Sequence, residues 1–321
     1  MGKQQVAKMS QFNLNNTPLW TALVTPLTQQ GKVDYACLAQ LVMQQQAADN
    51  AIVLLGSTGE GLALTLEEQK SIVEFVISLQ PTVPLMVAVG GFNLQQQKQW
   101  IEYCNTLPIH AYLLASPIYS KPGKSGQLLW FSELLRACEH PCMIYNVPSR
   151  SGINLDPDML ATLAEIDGFW AMKEASGSLE RFRQYQQACP SVKLYGGDDG
   201  LFPEHAAQGA AGLVSVCANA WPKATRQFVD FHLSNRNAPL NSVWSQAADS
   251  MSTVANPIPV KVLMHHLEVI NTPYLRSPLT HLELESKAQM IAANESVNSW
   301  SEQMAQTALT TKQTINTAQY A

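Results

Sequence analysis

Charge is scarce in this chain. Of its 321 residues only 14% are charged, against roughly a quarter in an average soluble domain. Twenty Lys and Arg stand against 25 Asp and Glu, giving a formal net charge of −5 and a pI near 5.8. Binding a phosphate backbone needs clustered positive charge, so no nucleic-acid partner is expected. Polar surface is drawn instead from amides and hydroxyls, as in Gln44–Gln46 and Gln95–Gln97. Long hydrophobic runs are also missing. None approaches the roughly 20 residues that span a bilayer, and Met1–Asn16 is polar with no apolar segment of a secretory signal. No membrane partner and a cytoplasmic location are therefore expected. The six cysteines include no CxxC pair and read as reduced core fillers. Cys138, His140 and Cys142 lie close in sequence but have no second ligand cluster, so no metal is expected. There is no HExxH, no GxGxxG and no Walker-type loop.

What is present is alternation. Short apolar runs occur at Trp20–Val24, Ala51–Leu55, Leu85–Val89, Ala111–Ala115, Cys142–Tyr145, Phe169–Lys173, Lys193–Tyr195 and Gly212–Cys217. Each is too short for a helix and too continuous for a half-exposed strand, the pattern of strands buried on both faces. Between them lie stretches of helical spacing. In Leu66–Leu79, apolar Leu66, Ile72, Val73, Val76 and Leu79 alternate with Glu67, Glu68 and Lys70. Thr65 and Asp156-Pro157 have the chemistry of helix starts. Eight such units in succession predict a (βα)8 TIM barrel over residues 1–235, residues 1–16 being a polar arm. A doubly wound open sheet would carry a glycine-rich turn after its first strand, and Thr21–Leu27 has no glycine. Residues 236–294 read as a C-terminal helical extension, with helices over Val243–Thr253, Val260–Val269 and Leu282–Ala293. Residues 295–321 read as a polar tail, a loose helix or disordered.

In such a barrel, chemistry gathers at the carboxyl ends of the strands. Four groups stand there. Gly56-Ser57-Thr58-Gly59-Glu60 follows the second run; its hydroxyls and backbone N–H groups suit a carboxylate, or it is an ordinary turn. Lys173 closes the apolar run Phe169-Trp170-Ala171-Met172. Burial there disfavours its ammonium and frees a nucleophilic amine; the bland alternative is a lysine snorkelling from the rim or paired with Glu174. Tyr145 through Arg150 follows the fifth run and offers a phenol for proton transfer and a planar fork for a carboxylate. Alone, each is equally a core aromatic or a surface arginine. Ser116-Pro117-Ile118-Tyr119 follows the fourth run, and a single tyrosine on such a loop more often packs than reacts. Together these groups suggest amine-based covalent catalysis on a keto acid.

At these residues the chain resembles the dihydrodipicolinate synthase and N-acetylneuraminate lyase superfamily, the pyruvate-dependent class I aldolases. The likeness runs from about Leu19 to Thr280. It rests on Gly56-Ser-Thr-Gly-Glu60, Tyr145-Asn-Val-Pro-Ser-Arg150, Lys173-Glu-Ala-Ser-Gly177, Gly197-Asp-Asp199, Asn256-Pro-Ile-Pro-Val-Lys261 and Leu275-Arg-Ser-Pro-Leu-Thr280, in order. Arg150 resembles the arginine of the synthase branch, which neuraminate lyases lack at that place. The resemblance implies that Lys173 forms an imine with pyruvate and that the derived enamine attacks aspartate 4-semialdehyde, without a cofactor. It implies Tyr145 as general acid and base, wired through Ser57 to Tyr119 of a neighbouring subunit. It also implies Thr58 on the pyruvate carboxylate, Arg150 on the semialdehyde carboxylate, and Gly197 and Val214 lining the site. Homo-oligomers, dimers or tetramers, are the implied assembly. Ser57 departs from the commoner threonine of the synthases. Where lysine-inhibited members carry a regulatory lysine site, Asn93 matches. Leu66, Gln69, Gln97 and Ile118 replace histidines, a glutamate and a tyrosine, so lysine is expected to inhibit weakly or not at all. Another pyruvate aldolase, for a sialic or sugar keto acid, would not need Arg150. A catalytically silent small-acid-binding barrel is the other alternative, since a fold does not guarantee its chemistry.

Overall fold

The computed structural model describes residues 12–238 and 242–319. Eight parallel strands close into a barrel in sequence order: β1 (Leu19–Ala22), β2 (Ala51–Leu54), β3 (Leu85–Val89), β4 (Ala111–Ala115), β5 (Cys142–Asn146), β6 (Phe169–Glu174), β7 (Lys193–Gly196) and β8 (Gly212–Ser215). β8 pairs back onto β1 through Trp20↔Val214. The helices that follow β1 to β4 are α1 (Tyr35–Ala47), α2 (Leu66–Ser78), α3 (Leu94–Asn105) and α4 (Lys124–Ala137). After β5 come a single turn, α5 (Pro148–Ser151), and α6 (Pro157–Leu163). Then α7 (Leu179–Ala188), α8 (Phe202–Ala207) and α9 (Pro222–Ser234) complete the ring. The predicted starts are real caps. Thr65 and Glu68 form a reciprocal capping box on α2, and the Asp156 side chain accepts from Met159 N with Pro157 at the first position of α6.

Two apolar layers hold the barrel, as the period of two in a strand requires. One set of side chains faces outward under the helices, including Leu114, Cys142, Ile144 and Met172. The alternate set, including Trp20, Met86, Met143, Ala171, Tyr195 and Val214, fills the barrel itself. Tyr195 closes the floor. Its hydroxyl donates to Thr17 O at 3.1 Å, where the 3₁₀ turn Leu14–Asn16 crosses the amino ends of the strands.

The extension packs on the barrel through α10 (Ser242–Ser250), α11 (Ile258–His266) and α12 (Ala288–Gln319). Trp244 stacks on Phe228 of α9 with centroids 4.3 Å apart. The last helix differs from expectation. Leu282 belongs to a 3₁₀ turn, and one helix then runs from Ala288 to Gln319, through the segment read as a loose helix or a disordered tail. Its weak amphipathicity hid it; among the residues whose burial is described, the buried ones, Met290, Ala293 and Val297, fall in its first turns. Among the described residues no helix is long and apolar enough to cross a membrane.

Candidate active site

Strand register brings the two principal residues together. Ala171 faces the barrel interior, so Lys173, two residues on, faces it too. Tyr145 is likewise two residues beyond inward-facing Met143, and Tyr145 pairs directly with Lys173 in the β5–β6 ladder. Neighbouring strands lie about 4.8 Å apart. The Lys173 Nζ accordingly sits 4.3 Å above the centre of the Tyr145 ring. The ammonium alternatives fall away: Lys173 is 5% exposed, and Glu174 points outward and takes its hydrogen bonds from Asn146 and Ser176.

Burial sets the electrostatics. Desolvation brings the Lys173 amine down from 10.5 to about 8, opposed by the nearby Asp199 carboxylate and assisted by Arg150. Burial lifts the Tyr145 phenol to about 12, with Arg150 pulling the other way. At neutral pH the phenol keeps its proton. The free-amine fraction of the lysine rises by roughly two orders of magnitude over an exposed one.

The other predicted residues arrive by different routes. Ser57 and Thr58 stand on the loop after β2. Gly59 and Gly61 beside them are required by the backbone itself. A Cβ on Gly61 would lie 1.9 Å from Leu55 O, and one on Gly59 would lie 2.9 Å from Leu23 O. Thr58 is buried, and its Oγ1 accepts from Asn256 Nδ2 at 3.0 Å. Arg150 rides on α5, and its Nη2 donates to Asn256 O at 3.1 Å. A Cβ on Gly197 would meet Lys173 Cε at 2.7 Å and Ala175 Cβ at 2.8 Å, so a side chain there would displace the lysine. Lys173, Tyr145, Ser57, Thr58, Arg150 and Gly197 all line one cavity of about 240 Å³. A second space of about 450 Å³ adjoins it and shares Ser57, Tyr145, Arg150 and Asn256.

Two predicted residues stand elsewhere. Val214 lies in the barrel filling, and Val216, two residues further along the chain, reaches the cavity wall. Tyr119 is 88% exposed at a positive φ of 69° and points out of its own barrel, while its neighbour Ile118 lines the larger space. Two residues that stand in the matching motifs but carried no expected role also reach the site. Asp199 is buried on the cavity wall, where its carboxylate accepts from the Ser215 hydroxyl and from Val216 N at 2.9 Å. Its place just past β7 was the available signal. Asn256 comes from the extension, and nothing in its local sequence announced a barrel-mouth role. Among the described residues no group of three or more His, Cys, Asp or Glu side chains is placed to hold a metal ion.

Residues 15–296 match the profile of the Dihydrodipicolinate synthetase family. The chain is 44% identical over 286 residues to the 4-hydroxy-tetrahydrodipicolinate synthase of Francisella tularensis subsp. novicida, covering 89% of this chain and 97% of that protein. It is 41% identical over 290 residues to the enzyme of that name from Wolbachia pipientis subsp. Culex pipiens, covering 90% and 99%. Among solved structures it resembles the dihydrodipicolinate synthase of Acinetobacter baumannii, complexed with pyruvate. The TM-score is 0.83 at 29% identity, over 88% of this chain and 99% of that one.

Proposed function

Because the chain belongs to the dihydrodipicolinate synthetase family, we propose the following reaction and division of labour. The protein condenses pyruvate with L-aspartate 4-semialdehyde to give 4-hydroxy-tetrahydrodipicolinate. The observation that carries the mechanism is a depressed lysine amine at the barrel mouth, stacked on a neutral phenol, with an arginine across the same cavity. Lys173 adds to the keto carbon of pyruvate and water leaves, forming an imine. Loss of a methyl proton gives the enamine, whose carbon attacks the aldehyde. The substrate amine then adds to the imine carbon, closes the ring and expels Lys173. The reaction needs no external cofactor.

Tyr145 donates and recovers protons. A phenol held near 12 keeps its proton at neutral pH, so it starts as the donor and can act as a base only if a relay carries that proton away. Ser57 shares its cavity, although among the described residues no direct hydrogen bond joins the two. Tyr119 from a second copy completes the relay in this reading, which requires at least a dimer. Its exposure and the exposed apolar Leu62 and Phe92 support such an interface. Thr58 holds the pyruvate carboxylate and Arg150 that of the semialdehyde, with Gly197 leaving room for the imine.

The groove that would hold a regulatory lysine supports weak or absent inhibition. Leu66, Gln69, Asn93, Gln97 and Ile118 line one space of about 650 Å³, and its lining includes Lys70 but no carboxylate and no histidine. A lysine ammonium would have no countercharge there.

The test of the mechanism is intact-mass spectrometry after incubation with pyruvate and borohydride. A reduced pyruvyl adduct is expected on the native chain and absent from Lys173→Ala. An adduct on folded K173A, or none on the native chain, would overturn it. Arg150→Ala should keep the adduct while losing most condensation with the semialdehyde, and unchanged condensation would remove Arg150 from that role.

A further inference from the structure

Asn256 touches both carboxylate-gripping residues, and it does so with different groups. Its side-chain Nδ2 donates to Thr58 Oγ1 at 3.0 Å, while its main-chain oxygen accepts from Arg150 Nη2 at 3.1 Å. It lies between α10 and α11, outside the barrel sequence, yet it lines both connected spaces. Resting on the function proposed above, we propose that Asn256 is a positioning residue for pyruvate. Its amide N–H occupies a lone pair of Thr58 and thereby aims the Thr58 hydroxyl proton into the cavity.

The argument is an inventory of donors and acceptors. A threonine hydroxyl has one proton to give and two lone pairs. Among the described residues no acceptor takes the Thr58 proton, and one lone pair is filled by Asn256. The proton is therefore left for a ligand oxygen on the cavity side, where Thr58 is part of the wall. The Asn256 Oδ1 is buried without a partner. The reverse amide orientation would strand an NH₂ in that place, and buried donors without partners are rarer than buried acceptors without them. That orientation would also draw the Thr58 proton away from the cavity.

Since Arg150 is held by the main chain, side-chain substitution at Asn256 should act on pyruvate alone. The experiment measures kcat/KM separately for pyruvate and for aspartate semialdehyde, on the native chain, Asn256→Ala, Asn256→Asp, Thr58→Val and the T58V/N256A double variant. In N256A the hydroxyl is free to turn, and kcat/KM for pyruvate should fall about tenfold, the scale of one hydrogen bond. N256D is nearly isosteric but replaces the donor by an acceptor. It should take the Thr58 proton and lower kcat/KM for pyruvate on the order of a hundredfold, the larger effect expected where a charged group is involved. Adding N256A to T58V should change nothing beyond about twofold, because the group it acts through is gone. In every Asn256 variant kcat/KM for the semialdehyde should stay within about threefold of native, within the context scatter of such effects.

Equal loss for both substrates would indicate a structural role and overturn the proposal. So would an N256D milder than N256A, or full additivity in the double variant. If N256A does not fold, the contrast in N256D between the two substrates decides alone. A native chain that forms no pyruvyl adduct would instead overturn the function itself, an outcome these ratios do not resemble.

Discussion

Lys173 is costly to keep. Its amine is drawn from 10.5 in water to about 8 in the barrel, so below that pH the native state carries a poorly solvated ammonium. The folded form binds the proton less tightly than the unfolded one. The penalty is therefore full below about 8, shrinks as pH rises, and is gone above about 10.5. Lys173→Met should abolish the pyruvyl adduct and raise the stability at pH 7 by at most roughly 3 kcal/mol. Urea melts at pH 7 and pH 10 check this, and the gain should be smaller at the higher pH. A variant less stable than native at pH 7 would contradict the burial argument. The same shift gives kcat/KM for pyruvate an acid limb that rises with pH through about 8, since only the neutral amine is a nucleophile.

Between elements, the decisive joint is a buried ion pair. Lys261 of α11 donates to Glu60 Oε1 at 2.6 Å and to Thr25 O at 2.9 Å, and Glu60 Oε2 accepts from Arg276 N at 2.6 Å. Both side chains are almost wholly buried. Glu60 ends the loop that carries Ser57 and Thr58 and sits at a positive φ of 55°. The pair thus clamps the site loop to the extension. Removing one partner leaves a charge buried alone, which costs about 3–5 kcal/mol. Lys261→Met should lose that much in urea denaturation and lose activity with it, and a loss under about 1 kcal/mol would show the clamp to be unimportant. The helices flanking this joint were legible from their periodicity, with Val260–Val269 expected against Ile258–His266 observed. The pairing itself was not, because 201 residues separate its partners.

For the whole molecule, the question is where one barrel ends and the next begins. Tyr119 points away from its own cavity, so a site relying on it is completed by a second copy. Tyr119→Phe and Lys173→Ala should each be nearly inactive alone. Mixed so that subunits exchange, they should recover roughly a quarter of native activity, since half of the dimers then hold one intact site of two. No recovery despite demonstrated exchange would place Tyr119 outside the relay. At this scale also lies the carboxylate-free groove around Gln97 and Leu66. Half-inhibition by sub-millimolar lysine in a steady-state assay would contradict the weak regulation expected there.

Local pattern alone determined the barrel. Short apolar runs of three to six residues separated by amphipathic stretches leave a parallel sheet as the way to bury both faces, and the polar residues ending those runs marked Lys173, Tyr145, Thr58 and Arg150. Tertiary structure decided what short-range pattern does not encode. Register put Lys173 on Tyr145, closure put Val216 rather than Val214 on the wall, and the extension brought Asn256 to Thr58 and Arg150. The physical reason is that a strand's period fixes which way a side chain faces, whereas which distant group it meets is fixed only when the chain closes on itself.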